Sequence, residues 1–122
     1  MNQHILVVED NPDNQRLIIW VLEDAEYQVT CADTAEQGIE LLEKQAFDMV
    51  LMDISLPGIS GAEATEILRT KEKYQKLPIL ALTAHAIKGE REKILASGVN
   101  EILTKPIDED QLLARLDKYF GH

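Results

Sequence analysis

Four places in this sequence set polar side chains directly behind apolar runs of strand length. Glu9 and Asp10 follow Ile5-Leu6-Val7-Val8, Asp53 closes Met49-Val50-Leu51-Met52, Thr83 closes Ile79-Leu80-Ala81-Leu82, and Lys105 follows Glu101-Ile102-Leu103-Thr104. Brought together, three acids repel, and the repulsion raises a carboxylate pKa unless a cation intervenes. Oxygen-only donors with room for retained waters suit Mg²⁺, which takes few protein carboxylates and readily adds phosphate oxygens. Lys105 offers a compact positive charge, and Thr83 a hydroxyl that can donate to a phosphoryl oxygen. Carboxylate, metal, ammonium and hydroxyl make a phosphoryl-transfer site, where catalysis is positioning and charge neutralisation. A carboxylate can itself be the nucleophile and become an acyl phosphate. Asp53 is the best candidate, because its strand reads as central and the loop behind it carries Gly58 and Gly61 for close backbone approach.

These positions matter only if the fold gathers them. After the first apolar run, Leu17, Ile18, Val21, Leu22 and Ala25 recur at helical spacing behind Asn11-Pro12-Asp13, whose types suit a helix start. Residues 28–32 read as a weaker strand. Thr34 can cap a helix carrying Ala35, Ile39 and Leu42, with Glu36 or Gln37 near the capping-box position. Beyond Asp53, a helix is expected from Ala62 to about Arg69, then a charged turn at Lys71-Glu72-Lys73. A fourth strand spans 78–83, a helix 88–96 with Gly98 as its stop, a short strand 101–104, and a last helix capped by Asp108 with Leu112, Leu113, Leu116 and Phe120. Strand and helix alternate five times. That order demands an α/β fold, a parallel sheet doubly wound with helices on both faces. Ligands of such sheets bind at the carboxyl ends of the strands, so the polar strand ends converge on one edge.

The totals narrow the classes. A chain of 122 residues is the size of one domain, and the expectation is a single domain over 1–122. A formal charge of −10 argues against a nucleic-acid surface. No apolar run approaches the roughly 18 residues of a membrane span, so no membrane insertion is expected. Cys31 has no partner for an internal disulfide and no secretory apolar region follows Met1, which leads to the expectation of a reducing, cytoplasmic setting. Cys31 itself reads as a small core residue, Trp20 as packing or part-exposed on the first helix, and the charges of Glu66 to Lys76 as a solvated face. Taken singly, each site residue has a plain alternative: Glu9 and Asp10 as helix-capping acids, Thr83 as a strand-end hydroxyl, Lys105 as a surface cation. Their joint placement favours the metal and phosphoryl reading.

Val7-Val8-Glu9-Asp10-Asn11, Leu51-Met52-Asp53-Ile54-Ser55-Leu56-Pro57-Gly58, Ala81-Leu82-Thr83-Ala84 and Leu103-Thr104-Lys105-Pro106 resemble, in order and spacing, the four signatures of the response-regulator receiver family, over essentially the whole chain. The resemblance implies a flavodoxin-like strand order 2-1-3-4-5. It implies that Asp53 accepts phosphate from a sensor histidine kinase or a histidine phosphotransfer protein. Asp10, with Glu9 mainly through water, and the backbone carbonyl of Ser55 would hold Mg²⁺ with Asp53. Thr83 and Lys105 would grip the phosphoryl oxygens, and the Lys105–Pro106 bond would be cis. Output would pass to a protein partner through the face of helix 4, strand 5 and helix 5, with no direct nucleic-acid contact and no enzyme activity beyond the domain's own phosphorylation and autodephosphorylation. The Glu-Asp-Asn form of the first signature, with Asn14 following, is similar to receivers in or alongside hybrid kinases. Ser55 and His85, each two residues past a site residue, stand where the family tunes dephosphorylation; His4 and His122 are not metal-ligand candidates.

One position departs from the family. Where it usually carries Tyr or Phe, three residues before the lysine, this chain has Ile102, which has no ring to swing inward. Output is therefore expected to rely on the segment from Thr83 to Lys88. Two rival readings remain on the residues: a phosphatase of the aspartyl-phosphate type, which needs a second acid where Ser55 stands, and a phosphorylation-independent scaffold, in which an acid or the lysine is usually missing. Here none is missing.

Overall fold

The computed structural model describes residues 3–84 and 88–121, all of Lys88 but its side chain included. Ten elements alternate: β1 (His4–Val8), α1 (Pro12–Asp24), β2 (Gln28–Ala32), α2 (Ala35–Lys44), β3 (Met49–Asp53), α3 (Gly61–Arg69), β4 (Ile79–Thr83), α4 (Lys88–Ala96), β5 (Glu101–Thr104) and α5 (Glu109–Phe120). The five strands form one parallel sheet in the order β2-β1-β3-β4-β5. This is the flavodoxin-like order the family resemblance implied.

The continuous apolar runs follow from burial on both faces. Side chains alternate along a strand, so each run is divided between two cores. Leu6, Val8, Val50, Met52, Ile79 and Ala81 pack with α2 and α3 residues such as Leu42, Ala64 and Leu68. Ile5, Val7, Met49, Leu51, Leu80 and Leu82 pack on the other side with Ile18, Leu22, Leu112 and Leu116 of α1 and α5.

The register aligns the strand ends. Val8 pairs with Met52, Asp53 with Leu82, and Thr83 with Thr104. The ladder continues past the strands, through Ile54 N–H to Leu82 O at 3.0 Å and Lys105 N–H to Thr83 O at 2.8 Å. Glu9, Asp53, Thr83 and Lys105 are thereby brought within a residue or two of one line across the sheet. The chain reverses its winding between β1 and β3, and in such sheets the crevice opens at that reversal.

Helix starts are set by side-chain caps. Asn11 accepts from the N–H groups of Asp13 (2.9 Å) and Asn14 (3.2 Å), and Pro12 opens α1 where its missing N–H costs nothing. Thr34 caps α2 through Gln37 N–H at 3.1 Å, but the Gln37 side chain takes the N–H of Asp33, one residue ahead of the expected position. Ser60 and Glu63 form a reciprocal capping box on α3, a signal not read from the sequence. Asp108 caps α5 as expected.

Some details differ from expectation. Leu17 is 40% exposed, because the buried stripe of α1 is carried by Ile18, Val21 and Leu22 and Leu17 falls beyond its edge, whereas Trp20, 59% exposed, takes the part-exposed one of its two expected readings. The charged turn contains a single 3-10 turn, Glu72–Tyr74, whose Tyr74 is buried and donates its hydroxyl to Leu42 O at 3.0 Å. Pro78, lacking an N–H, precedes β4 and only accepts, from Val50 N–H at 2.9 Å.

Candidate phosphoacceptor site

β3 carries Asp53 to the sheet edge with its side chain only 3% exposed. Immediately behind it the chain must turn sharply into α3. Gly61 donates to Ile54 O at 3.1 Å, and a Cβ on Gly61 would stand 2.1 Å from the Asp53 carbonyl oxygen, so no other residue fits there. Gly58 takes the left-handed region at φ 78°. The two loop glycines thus serve the turn that exposes the Asp53 carboxylate to its partners.

Those partners come from three elements. Lys105 Nζ lies 3.0 Å from Asp53 Oδ2, 3.0 Å from Glu9 Oε1 and 3.2 Å from Glu9 Oε2. Ser55 N–H donates to Asp53 Oδ1 at 3.0 Å. Glu9 is fully buried, and its Oε1 also accepts from Asn14 Nδ2 at 2.7 Å. Asp10 is exposed, on the solvent side of the cluster. One carboxylate oxygen from each of Glu9, Asp10 and Asp53 lies within 4.8 Å of the others, a donor set of hard oxygens that fits a divalent cation such as Mg²⁺. Thr83 is buried at the end of β4, one residue past the partner of Asp53. Ser55 is exposed, and the Lys105–Pro106 bond is cis. A cleft of about 280 Å³ opens between α3 and α4, with Ser55, Thr83, Ala62, Glu90 and Ile94 in its wall.

The electrostatics divide the two buried acids. For Asp53, burial pushes its pKa up, but contacts with Glu9, Lys105 and the Ser55 N–H outweigh it and hold the carboxyl below its ordinary value. For Glu9, burial and then the contact with Asp53 push it up to about 7, against the opposing pull of Asn14 and Lys105. Of the two close acids Glu9 is thus the more readily protonated, and Asp53 the one whose ionised, nucleophilic form is favoured. Burial opposes charge on Lys105, yet its contacts with Asp53 and Glu9 raise its pKa.

All the candidate positions from the sequence thus fall on one edge: Glu9, Asp10, Asp53, Ser55, Thr83 and Lys105. His85 and the segment 85–87 lie outside the described residues, as does His122. Gln15 was missed: its side-chain amide bonds the Glu9 carbonyl oxygen and, at 2.7 Å, Asp33 Oδ1, tying the loop after β1 to the loop after β2. Nothing in its type marks it. Asn14 was noticed only as part of a signature; its grip on Glu9 needed the structure.

Residues 5–117 match the response regulator receiver domain. The chain belongs to that family. It is a phosphoryl-accepting signalling domain of two-component systems. The sensor protein GacS of Pseudomonas syringae pv. syringae is 41% identical over 120 residues, which is 96% of this chain and 13% of the sensor, so the chain spans about an eighth of the length of that curated relative. The receiver domain of sensor histidine kinase PA1611 from Pseudomonas aeruginosa PAO1, solved with a magnesium ion coordinated in its active site cleft, is 39% identical with a TM-score of 0.92, each chain covered in full. The receiver domain of the Saccharomyces cerevisiae response regulator Ssk1, solved with the histidine phosphotransfer protein Ypd1, is 27% identical with a TM-score of 0.90, over 97% of this chain and 88% of that one. Among the described residues no helix is long and apolar enough to cross a membrane. Ile102, at the position where a ring was expected, is half-buried in β5 and packs against the core that contains Ala81 and Ile94.

Proposed function

We propose that this receiver, acting as one domain over residues 1–122, takes a phosphoryl group onto Asp53 from the phosphohistidine of a sensor histidine kinase or a histidine phosphotransfer protein. The observation that carries this reading is the buried Asp53 held by Lys105 at 3.0 Å and by the Ser55 N–H at 3.0 Å, beside two further acids. An Asp53 carboxylate oxygen attacks phosphorus, the O–P bond forms as the P–N bond breaks, and the electron pair leaves with the imidazole, which takes a proton from solvent. Asp10, Asp53 and the Ser55 carbonyl would hold Mg²⁺, with Glu9 acting mainly through water. When bound, that ion supplies positive charge to the transferring phosphoryl oxygens. Lys105 and Thr83 grip those oxygens. The return step is hydrolysis by the domain itself: water attacks phosphorus, the O–P bond breaks, and carboxylate and inorganic phosphate are regained. Exposed Ser55, in the wall of the cleft, tunes the access of that water. The protein is a switch and not a turnover enzyme, and it works in the cytoplasm.

Output passes to a protein partner over the face of α4, β5 and α5. On that face Glu101 pairs with Arg115 at 2.6 Å and Lys118 at 3.0 Å. Burial pushes Glu101 up, but Tyr119, Lys118 and Arg115 outweigh it and hold its carboxyl below the ordinary range. With Ile102 in place of a ring, the readout is carried by the segment from Thr83 into α4.

Incubation with acetyl phosphate and Mg²⁺ followed by intact-mass measurement tests the reading. The wild type gains one alkali-labile phosphoryl group, and Asp53→Ala gains none. A wild type that takes no phosphate, or a variant that takes as much, ends the proposal. Multiple-turnover release from unrelated phosphate esters would replace the switch by a phosphatase.

A further inference from the structure

The geometry points to Asn14 as a positioning residue for the cation site, its side-chain amide holding Glu9 Oε1 so that the carboxyl keeps its place in the acid cluster. This inference rests on the proposed phosphoacceptor reading. Glu9 is fully buried, so its carboxylate cannot draw donors from bulk water and must be satisfied by protein groups or by an ion. Two side chains supply them. Asn14 Nδ2 reaches Oε1 at 2.7 Å; Lys105 Nζ reaches Oε1 at 3.0 Å and Oε2 at 3.2 Å. Oε1 therefore carries two donors, and the Glu9 carboxyl also meets Asp53, so its orientation within the acid cluster is set by these few side chains.

The two donors differ in how far they can be relied on. Lys105 is shared, since the same ammonium stands 3.0 Å from Asp53 Oδ2. A phosphoryl group on Asp53 adds anionic oxygens that compete for its three N–H bonds. Asn14 is neutral and is launched from a rigid first helical turn. Its own N–H is bonded to Asn11 Oδ1 at 3.2 Å, and Pro12 precedes it at the start of α1. The next residue completes the hold, for Gln15 bonds the Glu9 main-chain carbonyl and Asp33. Consecutive residues of α1 thus seize the side chain and the backbone of one acid. Groups that orient a ligand from behind in this way change metal affinity by about 10- to 100-fold when removed.

Mg²⁺ titration by isothermal calorimetry, on the whole chain without any phosphodonor, decides the matter. Asn14→Leu keeps the size and removes the donor; its Mg²⁺ dissociation constant is expected to rise about tenfold or more. Asn14→Gln and Asn14→Ser can still donate, and at least one should recover most of the loss, which a space-filling role would not produce. Circular dichroism in EDTA confirms that each variant is folded at the titration temperature, and Asn14→Ala, which also lacks the donor, serves if the leucine variant is not. Binding by Asn14→Leu within twofold of wild type, or equal weakness of all three variants, overturns the role. A wild type that acquires phosphate on Asp53 while Asn14→Leu binds Mg²⁺ normally sinks the Asn14 assignment alone. A wild type that binds no Mg²⁺ removes the metal site of the proposed function, and this inference with it.

Discussion

Lys105 and Arg69 are both partly buried cations reached by residues distant in the chain, and their surroundings are opposite. Lys105 faces two buried carboxylates, whose oxygens outnumber what one ammonium can hold firmly. Arg69 faces neutral oxygens: Gly98 O at 2.9 Å, Tyr74 O at 2.5 Å, Leu77 O at 2.8 Å and Asn100 Oδ1 at 2.9 Å. Asn100 Oδ1 in turn accepts from Ile79 N–H at 2.9 Å, so Arg69 locks the end of α3, the 3-10 turn and the start of β5 to β4. A planar fork with fixed donors suits that static task, while a compact ammonium on a flexible stem suits partners that change. Burial lowers the Arg69 pKa, whereas the two acids around Lys105 are shifted in opposite directions. The contrast teaches that function in this fold sits where charge is left in competition, and stability where it is saturated.

The strongest way to break the contrast is Lys105→Met. Phosphoryl transfer from acetyl phosphate should fall by about 10² or more, as when one charge-stabilising donor is lost from a site of this kind, with the rate followed by intact mass. Equal transfer would show that the competition around Lys105 has no functional content. Arg69→Ala should do the reverse. It strips several buried oxygens of their donor and should cost about 3 kcal/mol in urea unfolding, with phosphorylation of the folded protein changed little. A variant with wild-type stability would remove Arg69 from the structural side of the comparison.

Protons sharpen it further. Glu9 is raised from 4.5 to about 7 in the fold, so the native state binds its proton more tightly than the unfolded chain does. The stability from that group is complete below pH 4.5 and is lost as pH rises through about 7, in metal-free protein. The lowered pKa of Asp53 acts with the opposite sign, in acid below 3.8. An ionised Glu9 is the better partner for the cation or its water, so Mg²⁺ affinity should climb from pH 6 to pH 8 by up to about tenfold per unit and then level off. Calorimetry of wild type against Glu9→Gln checks this, since the variant's profile should be flatter; an equally steep variant profile would move the titration elsewhere. The smallest effect belongs to a region that takes no part in the contrast. Asp108→Ala removes the α5 cap and should cost about 1 kcal/mol by chemical denaturation. Its phosphorylation rate should stay at the wild-type level.

The alternation of five strand-like with five helical stretches was enough to place all five strands and to gather Glu9, Asp10, Asp53, Thr83 and Lys105 on one sheet edge, because parallel connections leave no other place for strand carboxyl ends. The local caps at Asn11, Thr34 and Asp108 were legible because they depend on residues only two or three apart. What tertiary structure alone decided were contacts between residues far apart, whose distances depend on register and helix rotation. Lys105 meets Glu9 across 96 positions, and Arg69 meets Asn100 across 31. Periodicity names the face a residue belongs to only to within about one residue, which is why Leu17 came out exposed. Which of the two acids is the more readily protonated was likewise beyond the sequence, since both are acids at strand ends. Burial and the placement of one ammonium and two amide N–H donors tell them apart.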